Sequence, residues 1–329
     1  MRQLTHLWIM PLFLFLATGQ VFSQALASRG MAVPEGYQYP QKSSFTLLSW
    51  NVEHFVDLHD NPYIHNRRED SPDTALYAIK IALLVEALRE ADADLVVLQE
   101  FESAAFLKAL ADSLLPDMGY QFFAGAESFN WYMNVVMMSR YPLGLTYGYR
   151  SLYTSLLQPD GKPQPDKAQI NINSRIVSQE VFVRPDQALV ITGVHLKAGR
   201  NPEDEAARQG QIAMLQQQLQ RLTQENKNIP LLLVGDLNAT PDSPELRSLT
   251  QPQSKRHPRW IDPLANHTEV FSHPADAPRW RIDYILMNSA MHKNYLPESL
   301  HIGGLLGNDP ERLRTLSDHL PLHATFQIK

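Results

Sequence analysis

The chain has 329 residues, 44% of them apolar, a formal charge of −6 and no cysteine. That size allows one large core, and the missing cysteine excludes disulfides, zinc–thiolate centres, cysteine nucleophiles and lipid attachment through cysteine. The negative balance gives no strong drive toward non-specific duplex binding, which needs clustered cations, but leaves room for a locally basic cleft.

The first residues read as a secretory signal peptide over 1–27. Arg2 precedes an apolar run from Leu7 to Ala17, and Ala25-Leu26-Ala27 offers a small-residue cleavage site. An uncleaved anchor is the alternative, but the run is short for a span, and no other segment is long and apolar enough to cross a membrane. Residues 28–44 read as an extension and 45–329 as one domain, because no linker-like stretch divides the remainder.

Phe45 to Trp50 reads as a strand ending at Asn51. Ser71-Pro72-Asp73 supplies a cap, a first-turn proline and an early acid for a helix with the stripe Leu76, Ile79, Leu83, Leu84 and Leu88. A second strand, Asp94 to Gln99, leads into Glu100, and a short helix follows over about 103–115. Met133 to Met138 is a strand before Ser139-Arg140-Tyr141-Pro142, and 155–170 is a loop or a long hairpin connection. Ala188 to Val194 is a strand that ends at His195. A long helix starts at Pro202, with Glu203, Asp204 and Glu205 where the helix dipole favours them and the stripe Ile212, Leu215, Leu219, Leu222. Next come the apolar strand Leu231 to Val234 running into Gly235-Asp236-Leu237-Asn238, a polar and basic stretch over 255–281, and strands at Ile282 to Met287 and Leu322 to Ile328.

Helices are too few for a doubly wound parallel sheet, and no glycine-rich phosphate loop follows the first strand. Two packed sheets flanked by helices suit the order better. No G-x-S-x-G elbow is present, which argues against a serine hydrolase. Polar residues gather at six strand ends: Asn51, Glu100, His195, Asp236 with Asn238, Asp283, and Asp318 with His319. Each has a plain structural reading. Asp236 and Asn238 tighten turns, Glu100 suits an edge, His195 suits a satisfied core, and Ser317-Asp318-His319 suits a turn. Asp283, between Ile282 and Tyr284, needs a partner if buried. Six such coincidences together point instead to one shared site.

In order and spacing, these pieces resemble the endonuclease/exonuclease/phosphatase superfamily, which includes pancreatic deoxyribonuclease, abasic-site endonucleases, neutral sphingomyelinases and inositol-polyphosphate 5-phosphatases. The resemblance runs through Ser49-Trp50-Asn51-Val52-Glu53-His54, Leu98-Gln99-Glu100, Asn134 to Pro142, Gly193-Val194-His195-Leu196, Gly235-Asp236-Leu237-Asn238, Arg281-Ile282-Asp283-Tyr284-Ile285 and Ser317-Asp318-His319, about residues 45–327. It implies a four-layered α/β sandwich with two mostly antiparallel or mixed sheets. The opening is similar to a bacterial subgroup with Asn-Val-Glu followed by an acidic, proline-containing loop, here Asp57, Asp60 and Pro62, with His54 where Asn is more usual. Nucleases of the family often carry an arginine shortly after the glutamate, whereas this chain has Phe101-Glu102-Ser103.

The resemblance implies that Glu100 and Asp318, with Asn51 beside them, hold a divalent cation. Magnesium fits first, with manganese or calcium as alternatives. Asp236 would orient or activate the attacking water, and Asn238 would hold that water or a phosphate oxygen. His319 would contact the scissile phosphate, with Asp283 fixing its tautomer. His195 matches the position that is histidine in the deoxyribonuclease and sphingomyelinase branches and tyrosine in abasic-site enzymes. Asn134 is a candidate phosphate contact and Arg140 a structural residue. Lys197 and Arg200 either line the substrate mouth or are solvated charges.

The substrate expected first is extracellular or periplasmic nucleic acid, cut endo- or exonucleolytically by a monomer with no stable membrane insertion after processing. Lys255, Arg256, Arg259, Arg279 and Arg281 would form one positive flank, and Trp131 and Tyr132 would stack on bases or rim a lipid face. A sphingomyelinase-like or other lipid or small-molecule phosphoesterase is the runner-up. An inert binding module on this fold would be marked by loss of a metal carboxylate, Asp236 or His319, and all are present. The leader carries a direct prediction: the intact mass of exported protein should correspond to cleavage between residues 22 and 28, and a product retaining Met1 would contradict it.

Overall fold

A computed structural model describes residues 33–57, 74–126, 133–158, 160–169, 175–252 and 254–329. The signal peptide, Asp60, Pro62, the Ser71-Pro72-Asp73 cap, Trp131 and Tyr132 lie outside the described residues. One sheet contains β1 (Ser44–Phe55), β2 (Leu95–Phe101), β3 (Phe122–Gly125), β4 (Asn134–Ser139), β12 (His301–Ile302) and β13 (Leu322–Gln327), in the order β12-β13-β1-β2-β4-β3. The other contains β5 (Leu143–Gly148), β8 (Ile176–Arg184), β9 (Gln187–His195), β10 (Leu231–Asp236) and β11 (Asp283–Met287), ordered β11-β10-β9-β8-β5. The β1–β2 and β9–β10 pairs are parallel and the other ladders antiparallel, so both sheets are mixed. A separate hairpin, β6 (Thr154–Leu157) and β7 (Pro163–Gln169), occupies the segment read as a loop or hairpin connection.

The strand period of two sorts β1 between two cores. Leu48, Trp50 and Val52 pack in a cluster with α1 (Thr74–Ala91), α2 (Ala104–Leu114) and α6 (Pro310–Leu316). Phe45 and Leu47 face the opposite way, into the layer between the sheets with Val97, Val135, Met137, Ile191, Val234 and Ile285. A third cluster packs Val190, Val194, Leu231 and Leu233 against α3 (Pro202–Glu225) and α4 (Pro244–Thr250). The result is the helix–sheet–sheet–helix layering of the deoxyribonuclease-like fold. Between the sheets, a Cβ on Gly193 would stand 2.6 Å from Val135 Cγ1, so a side chain there would displace the facing core.

The helices follow their caps. Ser103 accepts from Phe106 N to start α2, and Asn201 accepts from Glu203 N and Asp204 N to start α3. The α1 stripe is shorter than its sequence indicates. Leu83, Leu84, Ala87 and Leu88 are buried, whereas Leu76 and Ile79 are exposed, because the C-terminal half of the helix makes the contact with the sheet. The short helix α5 (Ser289–His292) follows β11.

Arg140 is structural, as its place in the Ser-Arg-Tyr-Pro turn indicates. Its guanidinium donates to Asp94 Oδ1 at 3.1 Å, to Met118 O at 2.7 Å and to the Asp92 carboxylate, and lies 5.2 Å from the centre of the Tyr120 ring. Asp94, 1% exposed, also accepts from Lys42 Nζ at 2.7 Å and Thr46 N at 3.0 Å, so one carboxylate ties the starts of β1 and β2 to the end of β4. Replacing Arg140 with Ala leaves Asp94 short of a cation and should lower stability by about 3 kcal/mol in urea unfolding. Turnover per folded molecule should hold, and an unchanged unfolding midpoint would refute the role.

Candidate active site

Lateral register assembles half of the site. Asp236 pairs with His195 across the parallel β9–β10 ladder and with Asp283 across the antiparallel β10–β11 ladder, so three strands deliver three titratable side chains in one row. Two bulges supply the other half. The β1–β2 register shifts between Asn51 and Phe55, with Glu53 at φ 45° and His54 at φ 51°, and Glu100 has φ 57° where β2 shifts against β4. Left-handed backbone at non-glycine residues is costly and collects at working sites. Each bulge re-aims a side chain at the mouth between the sheets.

The loop before β13 is pinned onto β1. Ser317 Oγ donates to Asn51 O at 2.6 Å and accepts from His319 N at 2.9 Å, while Trp50 Nε1 donates to His319 O at 2.8 Å. His319 Nδ1 stands 2.8 Å from Asp283 Oδ2, and its Nε2 is 3.8 Å from Asp236 Oδ2 and 3.7 Å from Asp318 Oδ1. Asn51 Nδ2 bridges Glu100 Oε1 and Asp236 Oδ2, each at 3.2 Å. Asn238, at φ 50°, folds back on Asp236. Its backbone N–H donates to Oδ1 at 2.8 Å and its Nδ2 to Oδ2 at 3.1 Å. The two side chains meet through a left-handed turn past the strand. Gly235, at φ 125°, permits the approach, since a Cβ there would lie 2.1 Å from Val194 O.

The charges are unequal. Burial pushes the Asp236 carboxyl up, and the Asp283 charge adds to it. For His319, burial works toward neutrality, but Asp283 and Asp236 outweigh it and hold the imidazolium to about 10. Burial lowers His195 to about 4 against the pull of Glu100, so it is neutral at pH 7. Its Nε2 stands 3.7 Å from Glu100 Oε1 and 3.6 Å from Asp236 Oδ2, and its buried Nδ1 has no hydrogen-bond partner among the described residues. Burial also opposes ionisation of Glu100, yet its carboxyl is held low. With His195 neutral, the hydrogen bonds from Asn51 and from His54 N at 3.1 Å are the better cause. Against burial, His273 and His319 draw Asp318 down to about 2.

Among the described residues, four carboxyl groups gather around one imidazolium, with Lys80 near Glu100 and Asp318, which leaves a net negative pocket. Glu100 and Asp318 are its ionised hard-oxygen groups that still reach solvent, with side chains 13% and 29% exposed. That donor chemistry fits a divalent cation such as magnesium. The three residues expected to share the ion do not form one contact group. Asn51 touches Glu100 through its NH2 group, and its Oδ1 accepts from Glu53 N at 3.1 Å, so its hydrogen bonds orient carboxylates. Asp318 instead gathers with His273 and His319.

Other expected residues make contacts of their own around this centre. Asn134 is 1% exposed and donates to Glu102 O at 2.6 Å. Lys197 Nζ pairs with Asp204 at 2.7 Å, and the Arg200 guanidinium lies against Trp280. The expected positive flank is divided, because Arg281 is buried and paired with Asp262 at 2.6 Å, while Lys255 and Arg259 line a separate groove with Gln251 and His257. Glu53 is engaged by Arg314 at 2.5 Å.

Two residues escape the sequence reading. Lys80, largely buried on α1, donates to Glu53 O at 2.5 Å and to Val52 O at 3.4 Å, which secures the β1 bulge. His273 Nε2 lies 3.3 Å from Asp318 Oδ2, and its ring centre is 4.8 Å from that of His319. Lys80 reads as one polar position in a helix and His273 as one residue in a polar stretch. Only their long-range contacts mark them.

Comparison with known proteins agrees with this arrangement. A family model described as Endonuclease/Exonuclease/phosphatase family matches residues 48–319. No curated protein gives a significant sequence match. Among solved structures, the human Nocturnin catalytic domain with bound sulfate is 18% identical and aligns with a TM-score of 0.54 over 92% of this chain and 99% of its own. An endonuclease/exonuclease/phosphatase from Bacteroides vulgatus is 15% identical, with a TM-score of 0.54 over 88% of this chain and all (100%) of that one. The 3′ phosphatase NExo from Neisseria, bound to a product DNA hairpin, is 17% identical, with a TM-score of 0.52 over 86% of this chain and 100% of that one. At such identities the structural likeness speaks for the fold. Because the family match spans every strand-end residue from Asn51 to His319, the chain belongs to the endonuclease/exonuclease/phosphatase family.

Proposed function

We propose that this protein is a divalent-metal-dependent phosphodiesterase that hydrolyses nucleic acid outside the cytoplasm, acting as a monomer. The observation that carries the reading is the Asp283–His319 pair, 2.8 Å apart, which holds a positive ring beside Asp236 at the mouth between the sheets. A phosphodiester entering there meets His319 on an equatorial oxygen. Asp236, held by Asn51 and Asn238, takes the proton of the attacking water as its oxygen bonds to phosphorus and the ester oxygen departs in line. Asn238 steadies that water or a phosphate oxygen, and neutral His195 supports Glu100 and Asp236 from behind. Held by Glu100 and Asp318, a magnesium ion, or manganese or calcium in its place, would neutralise phosphate charge and polarise the reacting bonds.

The nucleic-acid part draws support from the Neisseria neighbour, whose structure holds a DNA hairpin. The export part rests on the leader pattern of residues 1–27. Metal-dependent turnover of plasmid, linear duplex, single strands, sphingomyelin, phosphoinositides and a generic phosphodiester tests the reading, with nucleic acid expected to lead. Preferred cleavage of sphingomyelin would move the assignment to a lipid phosphoesterase.

Two substitutions test the machinery. Glu100→Gln keeps the side-chain shape and removes its charge, so the magnesium titration of turnover should shift to higher concentration while the fold stays intact. Superimposable titrations would refute the ligand role. Asp236→Asn preserves size and much of the hydrogen bonding, and kcat should fall by about two to four orders of magnitude. The melting temperature should barely move. If Asp236 only tightens a turn, turnover would persist and stability would change by at most a few kcal/mol.

A further inference from the structure

Trp280 carries two guanidinium groups. The Cζ of Arg200 lies 4.1 Å and that of Arg279 4.6 Å from the centre of its ring. Arg200 comes from the connection between β9 and α3, five residues after His195, and Arg279 from the loop before β11. Both are exposed, and among the described residues no carboxylate pairs with either. The contrast with Arg140, Arg208 and Arg281 is plain, since each of those is held by Asp or Glu. Two unneutralised cations on one ring repel each other, in a chain with 35 acidic residues.

Their platform is tied to the active site. His273 and Trp280 exchange backbone hydrogen bonds, each at 3.0 Å, and their ring centres are 5.9 Å apart. The His273 ring in turn lies 4.8 Å from that of His319. Two rings, His273 and Trp280, therefore link the guanidinium pair to the imidazolium assigned to the scissile phosphate. Stacking on an aromatic face fixes a guanidinium's plane without using its N–H groups, which remain free for bidentate contact with phosphate oxygens. A receptor held in this way loses little freedom when an anion arrives.

We propose that Arg200 and Arg279, carried on Trp280, form a second phosphate subsite that receives the phosphate next to the scissile one. The enzyme then selects substrates bearing two phosphates across one sugar over isolated phosphodiesters. The position of the subsite rests on the reading of His319 as the scissile-phosphate contact, but its anion binding is measurable without turnover.

Calorimetric titration of the metal-free protein compares adenosine 3′,5′-bisphosphate with adenosine 5′-monophosphate. The wild type should bind the bisphosphate about tenfold more tightly, and the Arg200→Gln/Arg279→Gln double variant should lose that margin at an unchanged melting temperature. Each single variant should lose part of it. Kinetics with magnesium then compare thymidylyl-thymidine with the same dinucleotide phosphorylated at both ends. The double variant should lose the preference for the phosphorylated form through KM. Equal binding of the two nucleotides by the wild type, or a margin that survives in the double variant, would overturn the subsite. A margin abolished as expected, in a protein that turns over no nucleotide, would sustain the anion subsite and sink the nuclease reading alone.

Discussion

The hydrogen bond between Asp283 and His319, 2.8 Å long and almost wholly inaccessible, keeps a positive ring inside a ring of acids. Without it, Asp236 and Asp283 would confront each other without the imidazolium between them, and burial would favour a proton on one of them. With it, Asp318 stays ionised and the pocket retains a defined charge pattern. The pair also joins separate parts of the fold, because Asp283 opens β11 of one sheet while His319 sits in the loop that enters β13 of the other. One interaction therefore sets both the electrostatics of the cleft and the meeting of the two sheets at its mouth.

Everything else at the site serves to hold side chains against that pair. Asn51 directs its NH2 group at two carboxylates, and Asn238 holds both oxygens of Asp236 from a left-handed turn. Glu53, His54, Glu100 and Asn238 all adopt positive φ. Such conformations persist only where the surroundings over-determine them. Here Lys80 grips the Glu53 carbonyl, Arg314 grips the Glu53 carboxylate, and the packed ends of β1 and β2 leave no relaxed alternative.

Away from the cleft, cations are absorbed by the framework. Arg208 with Glu245 and Arg281 with Asp262 are buried pairs, and Arg140 closes the far end of the strands with Asp92 and Asp94. Removing one partner from such a pair is more damaging than the pair is stabilising. The burial of Arg281 also removes one cation from any positive face of the stretch between 255 and 281.

The sequence by itself determined the family, the layered fold class and the residues at the strand ends. Uninterrupted apolar runs such as Leu231 to Val234 mark buried strands wherever they occur, and a carboxylate at the end of such a run is conspicuous without any partner. It left β3, β5, β8 and β12 unread. In β8, Ser178 and Gln179 are buried among the apolar residues and break the pattern, because their hydrogen bonds come from Tyr149, Thr192 and Thr146 on other elements. It read Leu76 and Ile79 as core, since periodicity shows a helix face but not how far the sheet beneath it extends. Only the tertiary structure placed the Asn51 amide between two carboxylates, the Asn134 amide on the Glu102 carbonyl, Arg281 on Asp262, and His273 between Trp280 and His319. Those outcomes depend on contacts between residues distant in the chain, and burial there sets charge and hydrogen bonding together.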